Sequence, residues 1–275
     1  MWLEDLYKVK KPVIAMLHLD PLPGDVRWNR EDSMVKVLEH AKQDLNALQE
    51  GDVDAVLISN EFSLPYEGHV DHANSSAMAY VIGAMRNDFR IPFGVDCIGD
   101  GMTTIELAAV TGASFVREGF SGAHVGHNGL SSVSLTKILK RRKELGSEHI
   151  RMLYFLNPEA DKNLNDRPYD LQARSLIFEA IPDGLCVSAD GAGMDVNDSL
   201  LKKVKSVSPD TAVFCNTGCK PETIEAKLSV ADGAVVGTYF KADGKFMDAD
   251  HRNVRIDPDR VKKLMGVVRA FREKH

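Results

Sequence analysis

The residues best placed to do chemistry stand where short apolar runs end. His18 closes the run 12–19, Asn60 and Glu61 end 53–60, and Asp96 lies in 91–98. Arg117 and Glu118 stand in 113–120, Asn157 ends 150–157, and Ser188 and Asp190 end 184–190. The runs 211–218 and 232–239 finish as Asn216-Thr217-Gly218 and Gly237-Thr238. Burial raises a carboxyl's proton affinity and a nearby cation lowers it. Glu61, Asp96, Glu118 and Asp190, gathered beside Arg117 and His18, are therefore candidate acid–base catalysts. A strand-end histidine or an Arg–carboxylate pair can also simply satisfy itself inside a core. A whole set at one mouth is harder to ascribe to packing, because each buried charge costs free energy unless it is used.

Asn216, Thr217, Gly218, Gly237 and Thr238 suggest a different task. Glycines let backbone N–H groups approach an anion, and a helix N-terminus favours negative charge. With Lys241 as a point charge they are read as a phosphate-binding cup, and Asn60 and Arg117 are read as further substrate contacts. The rival is a pair of tight turns and a solvated lysine. Two loops carry histidines: "GHVDH" holds His69, Asp71 and His72, and "AHVGHN" holds His124 and His127. With Glu61 they could hold a divalent metal, or they could hydrogen-bond substrate hydroxyls. Neither spacing is a metal signature, and the sequence requires no cofactor. "LDPLPGD" at 19–25 is a stiff loop after His18, and "NLNDRPYD" at 163–170 is a polar loop that could serve as a lid.

The elements that must position these residues alternate along the chain. The eight apolar runs are 12–19, 53–60, 91–98, 113–120, 150–157, 184–190, 211–218 and 232–239. They are near-continuous rather than alternating, as in a parallel sheet covered by helices. Val35, Leu38, Ala41, Leu45 and Leu48 form a helical stripe over 31–50. Asp257 and Pro258 open another helix, with Val261, Leu264, Met265, Val268 and Phe271 on its apolar face. Links from helix to strand are short (50–52, 111–113, 182–184, 229–233), and links from strand to helix are often long (19–30, 61–73, 119–130, 240–257). Long loops at one end are the pattern of a (β/α)8 TIM barrel with its site at the carboxyl ends of the strands. We expect one such domain over 1–275. An open doubly wound sheet is the alternative, but no G-x-G-x-x-G follows the first strand.

Bulk composition narrows the function classes. The 275 residues are 44% hydrophobic and carry a net charge of −6, with no basic run longer than "LKRRKE". A nucleic-acid binder needs a clustered positive face, so none is expected. No stretch is long and apolar enough to span a bilayer, and residues 1–12 lack the apolar core of a leader, so a cytoplasmic chain is expected. Cys97, Cys186, Cys215 and Cys219 are read as buried free thiols. We also expect a homo-oligomer.

"KPVIAMLHLDPLPG", "GDVDAVLISNEF", "ELAAVTGASFVREGFSGA" and "NTGCKPETIEAKLSVADGAVVGTYFKADG" together resemble the BtpA family over essentially the whole chain. The resemblance implies a phosphate-binding TIM barrel. It also implies one of two roles: stabilising photosystem I at thylakoid membranes, or an unassigned enzyme encoded beside sugar phosphotransferase systems. It carries over His18, Asn60 or Glu61, Arg117, Gly218, Gly237, Thr238 and Lys241. The chain departs from the family pattern in strand three ("GVDCIGDG"), in strand five ("RMLYFLNPEA", with no acid inside it) and after strand six ("SADGAG"). The resemblance therefore bears on fold more than on reaction.

The expected function is an enzyme acting on a small phosphorylated sugar-like metabolite by isomerase, epimerase or aldolase-type chemistry. No lysine falls in an expected strand, which disfavours a Schiff-base aldolase. The rivals are a non-catalytic assembly or stability factor of the photosystem I type, and a metal-dependent hydrolase or transferase on nucleosides or phosphoesters.

Overall fold

A computed structural model describes residues 2–159 and 161–275. Eight parallel strands close on one another: β1 (Val13–His18), β2 (Ala55–Ser59), β3 (Phe93–Asp96), β4 (Phe115–Glu118), β7 (Arg151–Phe155), β9 (Gly184–Val187), β10 (Ala212–Cys215) and β11 (Gly233–Val236). The order around the barrel is β1-β11-β10-β9-β7-β4-β3-β2. Each strand falls inside one of the apolar runs read from the sequence, and the architecture is the expected (β/α)8 barrel.

Alternation along the strands sorts the core into two clusters. Ile14, Met16, Leu57, Phe115, Leu153 and Phe214 belong to the inner one. Val13, Ala15, Val56, Val116 and Val213 belong to the outer one, against the helices. Helix α1 (Trp2–Tyr7) adds Leu3 and Tyr7 to the inner cluster, where Tyr7 meets Phe115 edge-on at 5.8 Å. The Trp2 indole N–H donates to the Asp183 carbonyl just before β9, so α1 plugs the amino-terminal end of the barrel.

The remaining helices are α2 (Met34–Glu50), α3 (His72–Ala84), α4 (Gly101–Thr111), α5 (Leu135–Glu144), α6 (Tyr169–Ala180), α7 (Asp198–Ser206), α8 (Ile224–Leu228) and α9 (Pro258–Lys274). Five of them, α2, α3, α4, α7 and α9, start at a side-chain cap. Ser33 caps α2, so that helix begins at Met34, three residues after the expected 31, and Asp71, Asp100 and Asp257 cap α3, α4 and α9.

The loop after β4 differs from expectation. Residues expected to be irregular pair as an antiparallel sheet of β5 (Gly122–Gly126), β6 (Gly129–Val133) and β8 (Lys162–Asn163). The hairpin turns at Gly129, whose φ of +91° suits glycine. These strands are short and half exposed, so they leave little apolar periodicity in the sequence.

Candidate functional site

At the carboxyl ends of the strands a cavity of about 500 Å³ opens. His18, Glu61, Arg117, Glu159, Asn216 and Phe246 line its deeper part. Gly193, Thr217, Gly218, Lys220, Gly237 and Thr238 line the part formed by the loops after β9, β10 and β11.

Arg117 is the central charge. It shares strand parity with Phe115 and so points inward from β4. Its Nε and Nη2 donate to Asp96 Oδ2 at 3.0 and 2.9 Å, and its Nη1 donates to Asn216 Oδ1 at 2.9 Å. Burial works against its charge, but Asp96, Glu61 and Glu159 more than compensate and raise its pKa, keeping it a cation. Its guanidinium also sits 4.8 Å from the Phe155 ring centroid.

Glu118 is buried beside Asp96 and does not line the cavity. Burial and then the Asp96 charge push its pKa well up. Asp96 Oδ1 and Glu118 Oε2 are buried and meet no conventional donor. A carboxylate pair would leave both oxygens unpaired, whereas a neutral Glu118 donates its proton to Asp96. Glu118 thus supports Asp96 from behind.

His18 and Glu61 form the opposite wall. His18 Nε2 lies 3.6 Å from Glu61 Oε2. Burial, followed by the Lys241, Arg117 and Arg255 charges, lowers the His18 pKa well below the ordinary value, so the ring is neutral. Glu61 accepts from Ser59 Oγ at 3.3 Å and from Tyr66 Oη at 3.2 Å, and burial raises its pKa. Phe246 packs edge-on to His18 at 5.5 Å and stacks on Phe62 at 5.0 Å.

Glu159 was not visible as a site residue in the sequence. It lies beyond Pro158, in the loop that leaves β7, and accepts from Asn216 Nδ2 at 3.1 Å. Burial, opposed by Arg117 and reinforced by Glu61 and Asp96, pushes its pKa up to about 7. A carboxylate two residues past the strand-end Asn157 is the only sequence signal for it. Tyr66 was likewise missed, because its role depends on Glu61 turning toward it.

The three glycine-bearing loops converge. Gly218 has φ +72°, and a Cβ there would fall 2.3 Å from the Met194 carbonyl oxygen. A Cβ on Gly237 would fall 3.2 Å from His18 Cε1. A Cβ on Gly193 would meet Thr238 at 3.6 Å. All three glycines line this end of the cavity, and at Gly218 and Gly237 a side chain would press on the neighbouring loop or on His18. Thr238 opens a one-turn 3-10 helix, Thr238–Phe240.

Other strand-end residues hold the barrel together. Asn60 Oδ1 accepts from the Ile98 N–H at 2.8 Å, bridging the ends of β2 and β3. Asn157 makes two bonds to the Ser188 backbone, and Thr217 Oγ1 accepts from the Ala189 N–H at 2.8 Å. Asp190 is exposed and does not line the cavity.

Lys241 follows Thr238 in the loop after β11, but it does not line the cavity. It is 1% exposed, and its ammonium donates to Asn253 Oδ1 and, at 3.0 Å, to the Val254 carbonyl. Phe62 and Phe246 cover it at 5.4 and 5.8 Å from their centroids. Burial lowers its pKa to about 8. The histidine loops are also engaged elsewhere. His69 Nδ1 pairs with Asp100 at 2.8 Å, Asp71 caps α3, and His72 begins that helix. His124 lies in β5 opposite Asn163, and His127 is exposed at the hairpin tip. Among the described residues no three His, Cys, Asp or Glu side chains gather in a metal-holding group. All four cysteines are free and buried. Among the described residues no helix is long and apolar enough to cross a membrane.

Comparison with known proteins agrees with this architecture. Over 271 residues, 98% of this chain and 99% of the relative, the sequence is 41% identical to the sgc region protein SgcQ of Escherichia coli K12. It is 28% identical to the photosystem I biogenesis protein BtpA of Synechocystis sp. PCC 6803, over 93% of this chain and 87% of that one. Among solved structures, (S)-3-O-geranylgeranylglyceryl phosphate synthase from Thermoplasma acidophilum, in complex with its substrate sn-glycerol-1-phosphate, superposes with a TM-score of 0.59. That likeness covers 98% of this chain and 97% of the synthase at 14% identity, and so concerns the fold. The BtpA family pattern matches residues 9–270, and the chain belongs to the BtpA family.

Proposed function

We propose that the protein is an enzyme that rearranges a small phosphorylated, sugar-like metabolite by proton transfer beside a carbonyl group. Isomerisation and epimerisation begin this way, and aldol cleavage ends with the reverse step, a proton delivered to the enolate carbon left when the C–C bond breaks. The observation that carries this reading is one cavity with two unlike ends. A buried arginine among titratable groups stands at one end, and a glycine-lined cradle stands at the other.

In this reading the phosphate sits where Gly193, Gly218 and Thr238 meet, with Lys220 and Arg260 at the rim. The glycerol phosphate held by the structurally similar synthase supports a phosphate in a barrel of this shape. The reacting carbonyl oxygen lies against Arg117. A fixed cation there stabilises the oxyanion that develops as a neighbouring carbon loses its proton. Asp96 and Asn216 hold the guanidinium in place, so little reorganisation is needed. His18, neutral and against Glu61, can donate or accept a hydrogen bond at a substrate hydroxyl. Lys241 is tied to Asn253 and Val254 outside the cavity lining, which speaks against a lysine Schiff base.

The test is solvent-deuterium incorporation, followed by proton NMR in D2O, into dihydroxyacetone phosphate, ribulose 5-phosphate and fructose 6-phosphate. Enzyme-dependent exchange of a carbon-bound proton in at least one, suppressed by inorganic phosphate, is expected. Absence of exchange in all three would contradict the reading.

A further inference from the structure

Five carboxyl-bearing or imidazole side chains surround Arg117, and their atoms differ in what they already hold. Asp96 Oδ2 takes two bonds from Arg117, and Asp96 Oδ1 faces the buried Glu118. Glu118 does not line the cavity. Glu61 has Ser59 and His18 at Oε2 and Tyr66 at Oε1. His18 is buried and neutral, its Nε2 is turned toward Glu61, and its Nδ1, though unpartnered, is buried out of reach of the cavity. Glu159 differs from all four. Its Oε1 accepts from Asn216, and its Oε2 has no hydrogen-bond partner among the described residues although the side chain lines the cavity.

The orientation of Asn216 makes that arrangement directional. Its Oδ1 accepts from Arg117, so its Nδ2 must donate, and it does so to Ser188 Oγ at 3.0 Å and to Glu159 Oε1 at 3.1 Å. One amide thereby positions the cation and a carboxyl relative to each other, leaving one carboxyl oxygen open.

We propose that Glu159 is the catalytic residue that takes the proton from the reacting carbon and returns it. This assignment rests on the acid–base reading above and names the group that executes it. Glu159 Oε2, as carboxylate, takes the proton from the carbon next to the carbonyl. The C–H electron pair becomes the C=C bond of an enediolate, and the carbonyl electrons move to the oxygen held by Arg117. The resulting carboxylic acid gives the proton back, to the same carbon or to its neighbour. No oxidant or further reactant is consumed. A carboxyl raised toward neutrality by burial, with Arg117, Glu61 and Asp96 as the charged groups facing it, is suited to both halves of that cycle.

The test compares wild type, Glu159→Gln, Glu159→Asp and Glu61→Gln. Deuterium exchange is measured on the same three sugar phosphates, and inorganic phosphate binding by calorimetry. The glutamate carboxyls of wild type and Glu159→Gln are followed by carbon-13 NMR across pH 4–9. Glu159→Gln keeps the acceptor for Asn216, so it should bind phosphate within about twofold of wild type while exchanging at least ~100-fold more slowly. One glutamate resonance titrating near neutral pH should vanish with it. Glu159→Asp should retain partial exchange. Wild-type exchange by Glu159→Gln with phosphate binding intact, the loss falling on Glu61→Gln instead, would overturn the role of Glu159 and leave the acid–base reading standing. Loss of phosphate binding together with exchange would mark Glu159 as structural and equally overturn its role. No exchange by the wild type on any probe would overturn both.

Discussion

Arg117 and Asp96 are joined through a single carboxylate oxygen, Oδ2, which accepts from Nε and Nη2 while Oδ1 is left to Glu118. The pair lies on neighbouring strands β4 and β3 and is almost wholly buried. The charge of the site is thus built into the barrel wall.

Asp96→Asn should therefore be severe and Glu118→Gln mild. Asp96→Asn leaves a buried guanidinium without its counter-charge, at a cost of about 3–5 kcal/mol. Glutamine at 118 replaces a neutral carboxylic acid with an amide that still donates to Asp96, so stability should change by less than ~1 kcal/mol. Urea denaturation of both variants checks the contrast. Equal destabilisation would mean that Glu118 is charged.

Glu159 predicts a pH dependence of stability. Its folded pKa of about 7 lies above the ordinary 4.5. Below pH 4.5 both states hold the proton and nothing changes. Between 4.5 and 7 the unfolded chain has released a proton that the folded chain still holds, so stability falls as pH rises, then levels off. Glu159→Gln lacks this fall. Its stability relative to wild type should rise by about 2–3 kcal/mol between pH 4.5 and 7, read from denaturation midpoints across that range.

Lys241 should matter to stability and little to phosphate. Lys241→Ala strands Asn253 Oδ1 and the Val254 carbonyl and opens a void beneath Phe62 and Phe246. A loss of about 2–4 kcal/mol is expected. Lys241→Met fills the void, should recover part of that loss, and should bind inorganic phosphate within about threefold of wild type. A much larger loss of phosphate affinity would return Lys241 to the anion site.

Gly218→Ala should weaken phosphate binding. A left-handed backbone costs alanine about 1–2 kcal/mol, and its Cβ would press on the Met194 carbonyl, forcing the loop after β9 to shift. At least a tenfold rise in the dissociation constant for inorganic phosphate is expected by calorimetry.

The barrel was legible in the sequence because parallel strands buried on both faces leave continuous apolar runs, each ended by polar residues. Reading those ends identified His18, Glu61, Arg117 and Asn216, which the structure brings to one cavity. It identified Asp96 and Glu118 too, but placing Glu118 behind Asp96 requires knowing how neighbouring strand ends meet. Asn60 and Asn157 look like ligand contacts until the adjacent strand is in register, when they prove to extend the ladder. Lys241 is ordinary in sequence, since its acceptors come from residues 253 and 254 across the turn. Glu159 stands in a loop, where no periodicity marks a side chain that folds back onto Asn216. Asp190 was read from a strand end but falls past it, in solvent.

The central claim is that this cavity holds a phosphate at its glycine-lined end, within one small metabolite's length of Arg117. Diffraction from crystals grown in inorganic phosphate tests it most directly. Density for the anion against the backbone of Gly218 and Thr238, lost in Gly218→Ala, is the predicted result. An anion bound only outside these loops, or none there at saturating phosphate, would contradict it.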